Sequence, residues 1–343
     1  MSELFFQTGL SFDDVLLVPK KSCINSRSEI DISSTIGDAS FSLPVISSPM
    51  DTVTESQMAA TMSDHGGLGV IHRYNTVEEQ CNLVRDCLPD RVIAAAVGVT
   101  GDFKERSRAL YEAGVRILCV DVAHGHHILV ERALKSIRDI LGEGVSIMAG
   151  NVATAEAFID LEDWGANAIR VGVGGGSICS TRIQTGHGIP TFQSVYACSF
   201  VCRDGGAKLI ADGGIKNAGD VVKSIAAGAD FVMLGSLLAG SKESPGSVLR
   251  GRNGKKYKVY RGMASVEAQE AWRGEARSLE GVSTTIPYKG SVRHILSDLK
   301  QNIKSGFSYS GARNQKDFKE ERTFIRQLNA GITESNTHIL NKR

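Results

Sequence analysis

The sequence predicts an α/β fold, a (β/α)8 TIM barrel, as a single domain over residues 1–343, and three observations lead there. First, eight short apolar, β-branched runs recur, at 44–47, 68–72, 93–97, 117–120, 146–149, 168–171, 208–211 and 231–234. They lack the clean alternation of half-buried strands, as strands covered on both faces do. Second, helix-like segments lie between them, such as 77–87, 105–113 and 218–227. Gly114, Gly165 and Gly228 stand where such helices would stop, just ahead of the next strand. Third, most runs begin about 22–29 residues after the last, a comfortable βα repeat. An open doubly wound sheet is the rival fold, and eight units without a switch point count against it.

Two intervals are longer. About 40 residues separate the sixth and seventh runs, and an excursion over roughly 240–290 follows the eighth. Barrel chemistry sits on loops at the C-terminal ends of the strands, so both should be functional. Residues 172–195 are expected to form a catalytic cysteine loop, and 240–290 a mobile flap and nucleotide-binding excursion.

A net charge of +1 gives no bulk attraction to nucleic acid or an anionic membrane, so an anionic ligand would need a local site. No apolar run approaches the roughly 18 residues of a membrane span, and Met1-Ser2-Glu3 opens no signal pattern. Seven cysteines stand singly at 23, 81, 87, 119, 179, 198 and 202, with no C-x-x-C pair and no zinc set around Cys198 and Cys202. A reduced, cytoplasmic protein is expected.

Val171-Gly172-Val173-Gly174-Gly175-Gly176-Ser177-Ile178-Cys179-Ser180-Thr181-Arg182 directly follows the sixth strand. Glycines let backbone groups converge on an ion or ligand. A lone cysteine is most often a small buried hydrophobe. Behind this glycine run, on a catalytic-face loop, Cys179 reads instead as a nucleophile. Asp212-Gly213-Gly214 ends the seventh strand and Gly235-Ser236 the eighth, the usual phosphate site of such barrels. Ser177, Gly214, Gly235 and Ser236 could all donate to one phosphate, with Asp212 placed to accept from ribose hydroxyls. Ser48 and Met50, after the first strand, offer contacts to a base, and Asn151 follows the fifth. Asp121 follows the fourth and is suited to a ligand amide or hydroxyl. His124, His126 and His127 lie in a turn with one nearby carboxylate, a poor metal set.

Taken in order, 12–19, 47–52, 121–126, 149–154, 174–181, 212–214 and Tyr260-Arg261-Gly262-Met263 resemble the IMP dehydrogenase/GMP reductase family over nearly the full chain. The resemblance implies a homotetrameric barrel with a covalent cysteine, a purine nucleotide (GMP or IMP), a nicotinamide cofactor and a monovalent cation. It implies Thr181 and Glu280 as acids beside Cys179. It places Gly213, Tyr260, Gly262 and Met263 on the nucleotide, and Asp121, Ala123 and Gly172 on the cofactor. Carbonyls of Gly174, Gly176 and Cys179 would hold K+.

The two branches run related chemistry in opposite redox directions. The regulatory tandem (CBS) insertion usual in dehydrogenases is missing here, since only 87–91 stand between Val84 and the third strand. The segment 264–279 contains no Arg-Tyr pair of the kind dehydrogenases use to activate water. Residues 228–235, 254–258 and 322–326 also look like the reductase branch. Against that, 18–19, 47–50 and 124–126 look more like dehydrogenases. Reductases generally have proline where Gly175 stands and asparagine where His124 stands. The expectation is an NADPH-dependent GMP reductase, with an insertion-free IMP dehydrogenase using NAD as the alternative. FMN-binding and phosphosugar barrels share the glycine-rich phosphate site but do not require the cysteine loop. A non-catalytic nucleotide-binding homologue is a third possibility.

Overall fold

The computed structural model describes residues 8–276 and 280–337. Residues 277–279, within the expected 240–290 excursion, and both ends of the expected 1–343 domain lie outside the described residues.

The chain enters through β1 (Val15–Leu17), which pairs antiparallel with β15 (Phe324–Arg326). A hairpin of β2 (Ser34–Ile36) and β3 (Ala39–Phe41) follows. Eight parallel strands then close a barrel: β4 (Val45–Ser47), β5 (Leu68–Ile71), β6 (Ala94–Val97), β7 (Ile117–Asp121), β8 (Ser146–Val152), β9 (Ala168–Val171), β10 (Lys208–Asp212) and β11 (Phe231–Leu234). Closure comes from β11 against β4, with Val232, Met233 and Leu234 opposite Val45, Ile46 and Ser47. These are the eight predicted runs.

Alternation along each strand divides two apolar layers. Ile46, Val70, Cys119, Met148, Ala168, Ile210 and Met233 fill the barrel interior. The hairpin plugs its lower end, where Phe41 meets the Phe231 ring edge-on at 5.7 Å. The intervening residues, among them Val45, Leu118, Ile147, Ile169 and Leu209, face the helical shell. That shell includes α1 (Ser56–Asp64), α2 (Val77–Arg85), α3 (Phe103–Glu112), α4 (Ile128–Leu141) and α5 (Ala155–Asp163). Side-chain caps start several of these: Thr76 accepts from Glu79 N–H, and Thr154 from Ala157 N–H. Residues 86–93 lead directly from α2 to β6, so no tandem insertion interrupts the barrel.

The long interval after β9 carries α6 (Thr181–Thr185) and α7 (Thr191–Ser199), and α8 (Ala218–Ala227) follows β10. After β11 the chain forms β12 (Leu249–Arg250), β13 (Lys256–Arg261), α9 (Val266–Arg273) and β14 (Ser283–Pro287), with β13 and β14 antiparallel. The barrel resumes with α10 (Val292–Ser310), whose Val292, Leu296, Leu299, Ile303 and Phe307 form one buried stripe. Among the described residues, no helix is long and apolar enough to cross a membrane.

Candidate active site

A cavity of about 400 Å³ opens at the C-terminal ends of the barrel strands, within the range of small-molecule sites. Its wall includes Ser48, Met50, Asp121, Ala123, Asn151, Ser177, Cys179, Thr181, Asp212, Gly213, Gly214, Gly235, Ser236, Tyr260, Gly262, Met263 and Glu280. The fold thus brings together most of the predicted residues. Gly176 also lines the cavity, whereas Gly172 and Gly174 do not. The Gly172 carbonyl accepts from the Asn151 side-chain amide at 2.9 Å, which sets it behind Asn151 rather than in the wall.

The cysteine loop is held by the second excursion. Ser180 N–H donates to the Glu280 carbonyl and Val282 N–H to the Ile178 carbonyl, both at 3.1 Å. Gly281 bridges Cys179 in this short antiparallel contact. A Cβ on Gly281 would stand 2.8 Å from the Ser265 nitrogen, so glycine permits the close crossing. The crossing aligns three side chains. Cys179 Sγ donates to Thr181 Oγ1 at 3.2 Å, and Thr181 Oγ1 donates to Glu280 Oε2 at 2.8 Å. A thiol, a hydroxyl and a carboxylate in a row can pass a proton between the cysteine and the carboxylate. Cys179 is half-buried at the cavity wall. By contrast, burial pushes the thiol of Cys87 up to about 11 and those of Cys119 and Cys198 up to about 12, which keeps all three inert.

Strand parity builds the floor. Asp121, Arg170 and Asp212 occupy inward positions at the upper ends of β7, β9 and β10, above Cys119, Ala168 and Ile210. The Arg170 guanidinium contacts Asp121 Oδ1 at 2.5 Å, and Asp212 Oδ2 at 2.9 and 3.1 Å. Burial opposes its charge, but Asp212 and then Asp121 outweigh that and hold its pKa well above the ordinary value. Asn151 adds a third donor to Asp212 Oδ2 at 2.9 Å. Asp212 Oδ1 receives no donor among the described residues, which leaves it an acceptor for a ligand hydroxyl.

The phosphate-type cradle lies on the adjoining wall. No acceptor among the described residues takes the N–H groups of Gly214, Gly235 or Ser236. A Cβ on Gly235 would stand 3.1 Å from Tyr260 Oη and 3.4 Å from Met50 Sδ. Ser177 Oγ lies 3.4 Å from Tyr260 Oη. Burial raises the Tyr260 pKa, so its hydroxyl stays a neutral donor.

Several wall residues escaped the sequence reading: Arg73, Tyr74, Arg170, Gln269 and Arg273. Arg170 had a signal, as a lone charge in an apolar strand run needs buried partners. Arg73-Tyr74 follows β5 on the catalytic face and could have been found by position. Gln269 and Arg273 reach the cavity only because α9 docks over it. Tyr74 stacks on Trp272 of that helix, with centroids 4.2 Å apart and planes 12° apart. The Arg73 guanidinium lies 5.5 Å from the Tyr74 ring centre and 5.8 Å from that of Trp272. The Arg73 Nε–H is buried without a hydrogen-bond partner.

The histidine turn has local roles. His126 Nε2 contacts Asp160 at 2.7 Å, and His127 accepts from Leu129 N–H to start α4. Among the described residues, no cluster of three or more His, Cys, Asp or Glu side chains could hold a metal ion. Backbone carbonyls are another matter: those of Gly174 and Cys179 accept no hydrogen bond from a described residue, and that of Gly176 accepts one, from Cys179 N–H.

Residues 9–338 match the model of the IMP dehydrogenase / GMP reductase domain. The chain belongs to the IMP dehydrogenase/GMP reductase family. Family members use NAD(P) as redox cofactor. The chain is 34% identical to inosine-5'-monophosphate dehydrogenase of Nitrosopumilus maritimus, over 97% of this chain and 98% of that protein. It is 31% identical to GMP reductase of Leishmania major, over 97% of each. The crystal structure of a cysteine-to-alanine variant of GMP reductase from Trypanosoma brucei, in complex with guanosine 5'-monophosphate, superimposes with a TM-score of 0.92. That pair is 30% identical, over 97% of this chain and 98% of that one. The missing insertion does not separate the branches. The alignments run over 473 positions with the dehydrogenase and 480 with the Leishmania reductase, against 343 residues here. Both relatives therefore carry stretches with no counterpart in this chain.

Proposed function

We propose that this protein is an NADPH-dependent GMP reductase, which converts GMP to IMP and ammonia through a covalent bond to Cys179. The observation that carries this reading is the chain from Cys179 through Thr181 to Glu280 inside the cavity. Reductive deamination expels an amine, which leaves only when protonated, and Glu280 is a carboxyl group able to deliver that proton. The Trypanosoma brucei neighbour, a GMP reductase in complex with GMP, supports the same substrate.

In this mechanism the 5'-phosphate lies on the free N–H groups of Gly214, Gly235 and Ser236, with Ser177 and Tyr260 as hydroxyl donors. Gly213 lets the chain turn between the ribose and phosphate contacts. Asp212 accepts from the ribose, and Ser48, Met50, Asn151, Gly262 and Met263 enclose the base. The thiol proton passes through Thr181 to Glu280, and the thiolate adds to C2 of the purine. Glu280 returns the proton through Thr181 to the 2-amino group. Ammonia leaves and a thioimidate remains on Cys179. The reduced nicotinamide, when bound, supplies the hydride that C2 takes up as the thiolate departs. Arg73 fits the cofactor, since its buried Nε–H, 3.9 Å from Asp121 Oδ2 and without a hydrogen bond, is a cationic donor suited to a phosphate-bearing dinucleotide, and Asp121 and Ala123 would flank it. The free carbonyls of Gly174 and Cys179, with that of Gly176, fit K+, which would stiffen the loop. A homotetramer is proposed on the family resemblance alone.

One observation favours the dehydrogenase alternative. An Arg-Tyr pair does line the cavity, but it is Arg73-Tyr74 after β5 rather than a pair on the flap. Burial raises the Tyr74 pKa, and its ring is stacked on Trp272, so Tyr74 is a poor base for water. Absorbance at the nicotinamide band with GMP plus NADPH, run beside IMP plus NAD, tests the direction. Cofactor consumption with ammonia release is expected from the first mixture and little XMP from the second. XMP formed as fast as GMP is reduced would overturn the assignment.

A further inference from the structure

Behind the cysteine loop lies a second cavity, of about 280 Å³, close to the lower bound of roughly 300 Å³ for a small-molecule pocket. Ser177, Gly214, Ile215 and Ser236 line both cavities, so the two meet where the phosphate cradle stands. Past those residues the wall turns basic, with Arg182 and Lys216 against one carboxylate, Asp13. The Arg182 guanidinium is anchored on neutral carbonyls, Ile189 at 2.7 Å and Val173 at 3.4 Å, which orient its charge without cancelling it. Lys216 Nζ is gripped by both Asp13 oxygens, at 2.7 and 2.6 Å, and both side chains are solvent-exposed.

A buried polar group also lines this space. Thr191, at the first turn of α7, is 5% exposed, and its Oγ1 is buried without a partner. An unsatisfied buried hydroxyl is costly unless something occupies the space beside it. Gly175 passes close to that hydroxyl, and a Cβ there would stand 2.3 Å from Thr191 Oγ1.

We propose that the phosphate end of the nucleotide site is open rather than closed, and that purine nucleoside 5'-diphosphates bind it with the second phosphate in this cavity. This rests on the nucleotide reading of the first cavity. The α-phosphate keeps the cradle, and the β-phosphate meets Arg182, Lys216 and Thr191 Oγ1, where a dianion displaces Asp13 from Lys216. Base and ribose keep their places beside Cys179, so a diphosphate competes with GMP.

The test is equilibrium binding of GMP, GDP and inorganic pyrophosphate in magnesium-free buffer, to the wild-type protein and to Lys216→Ala and Asp13→Asn. GDP is expected to bind within about threefold of GMP or tighter. Lys216→Ala should weaken GDP about tenfold and leave GMP within about twofold, and Asp13→Asn should tighten GDP by about threefold. GDP binding at least about tenfold weaker than GMP, or GMP and GDP shifted equally by Lys216→Ala, would overturn the proposal. Failure of GMP itself to bind would refute the nucleotide reading instead. Pyrophosphate, which needs neither base nor ribose, then decides the cavity: Lys216-dependent binding upholds its anion role, and no binding overturns it.

Discussion

Thr181 Oγ1 donates to Glu280 Oε2 at 2.8 Å across a separation of 99 residues. This bond joins the cysteine loop to the excursion after the last barrel strand. It gives a nucleophile and an acid a common hydroxyl.

Glu280→Gln keeps an acceptor for Thr181 but cannot carry a proton. Steady-state GMP reduction should fall by about 10²- to 10⁴-fold, the usual worth of a positioned acid or base. GMP affinity should hardly change. Cofactor reduction in a single turnover from IMP and oxidised cofactor should fall less, because that direction calls on Glu280 only to take the thiol proton and not to expel an amine. Equal losses in both directions would show that Glu280 does not act on the departing amine.

Cys179→Ala should abolish turnover while nucleotide binding persists. Alkylation offers a second readout. Burial keeps Cys87, Cys119 and Cys198 as thiols with values of about 11, 12 and 12. Iodoacetamide near pH 8 should therefore spare these three and inactivate through Cys179, with GMP slowing the inactivation. Turnover within about tenfold of wild type in Cys179→Ala would exclude covalent catalysis there.

Arg170 is the buried charge that holds two floor carboxylates apart. Arg170→Leu leaves Asp212 with only the Asn151 amide and Asp121 with only Arg73, whose Nε stands 3.9 Å from Asp121 Oδ2. Breaking such a buried network costs about 3–5 kcal/mol. Denaturant unfolding should report that loss, and GMP binding should weaken as Asp212 shifts. A variant as stable as wild type would show that water replaces the guanidinium.

Gly175 stands where reductases generally carry proline, and Thr191 gives a physical reason for the departure. A Cβ at 175 would stand 2.3 Å from Thr191 Oγ1. Gly175→Ala should therefore destabilise the protein by about 1–3 kcal/mol, as overpacking does. Thr191→Ala removes the obstructing hydroxyl, so the double variant should recover most of that loss. Additive single effects in thermal unfolding would mean that the two positions are not coupled.

Local residue patterns are enough to specify the barrel. Eight apolar runs at regular spacing and glycines at helix ends are local signals, and a strand buried on both faces carries them whatever its neighbours. They also mark the cysteine loop and the cradle, because Cys179 and the glycine pairs at 213–214 and 235 follow their strands directly. Which of these residues touch depends on long-range packing. Barrel closure and strand parity turn Asp121, Arg170 and Asp212 into the interior, with both carboxylates within hydrogen-bond reach of Arg170, although they lie on three strands. Docking of α9 brings Trp272 onto Tyr74, and the crossing at Gly281 brings Glu280 onto Thr181. The meeting of Gly175 with Thr191 follows from the same packing. Such contacts depend on the register of elements far apart in the chain, which no local pattern of residue types encodes.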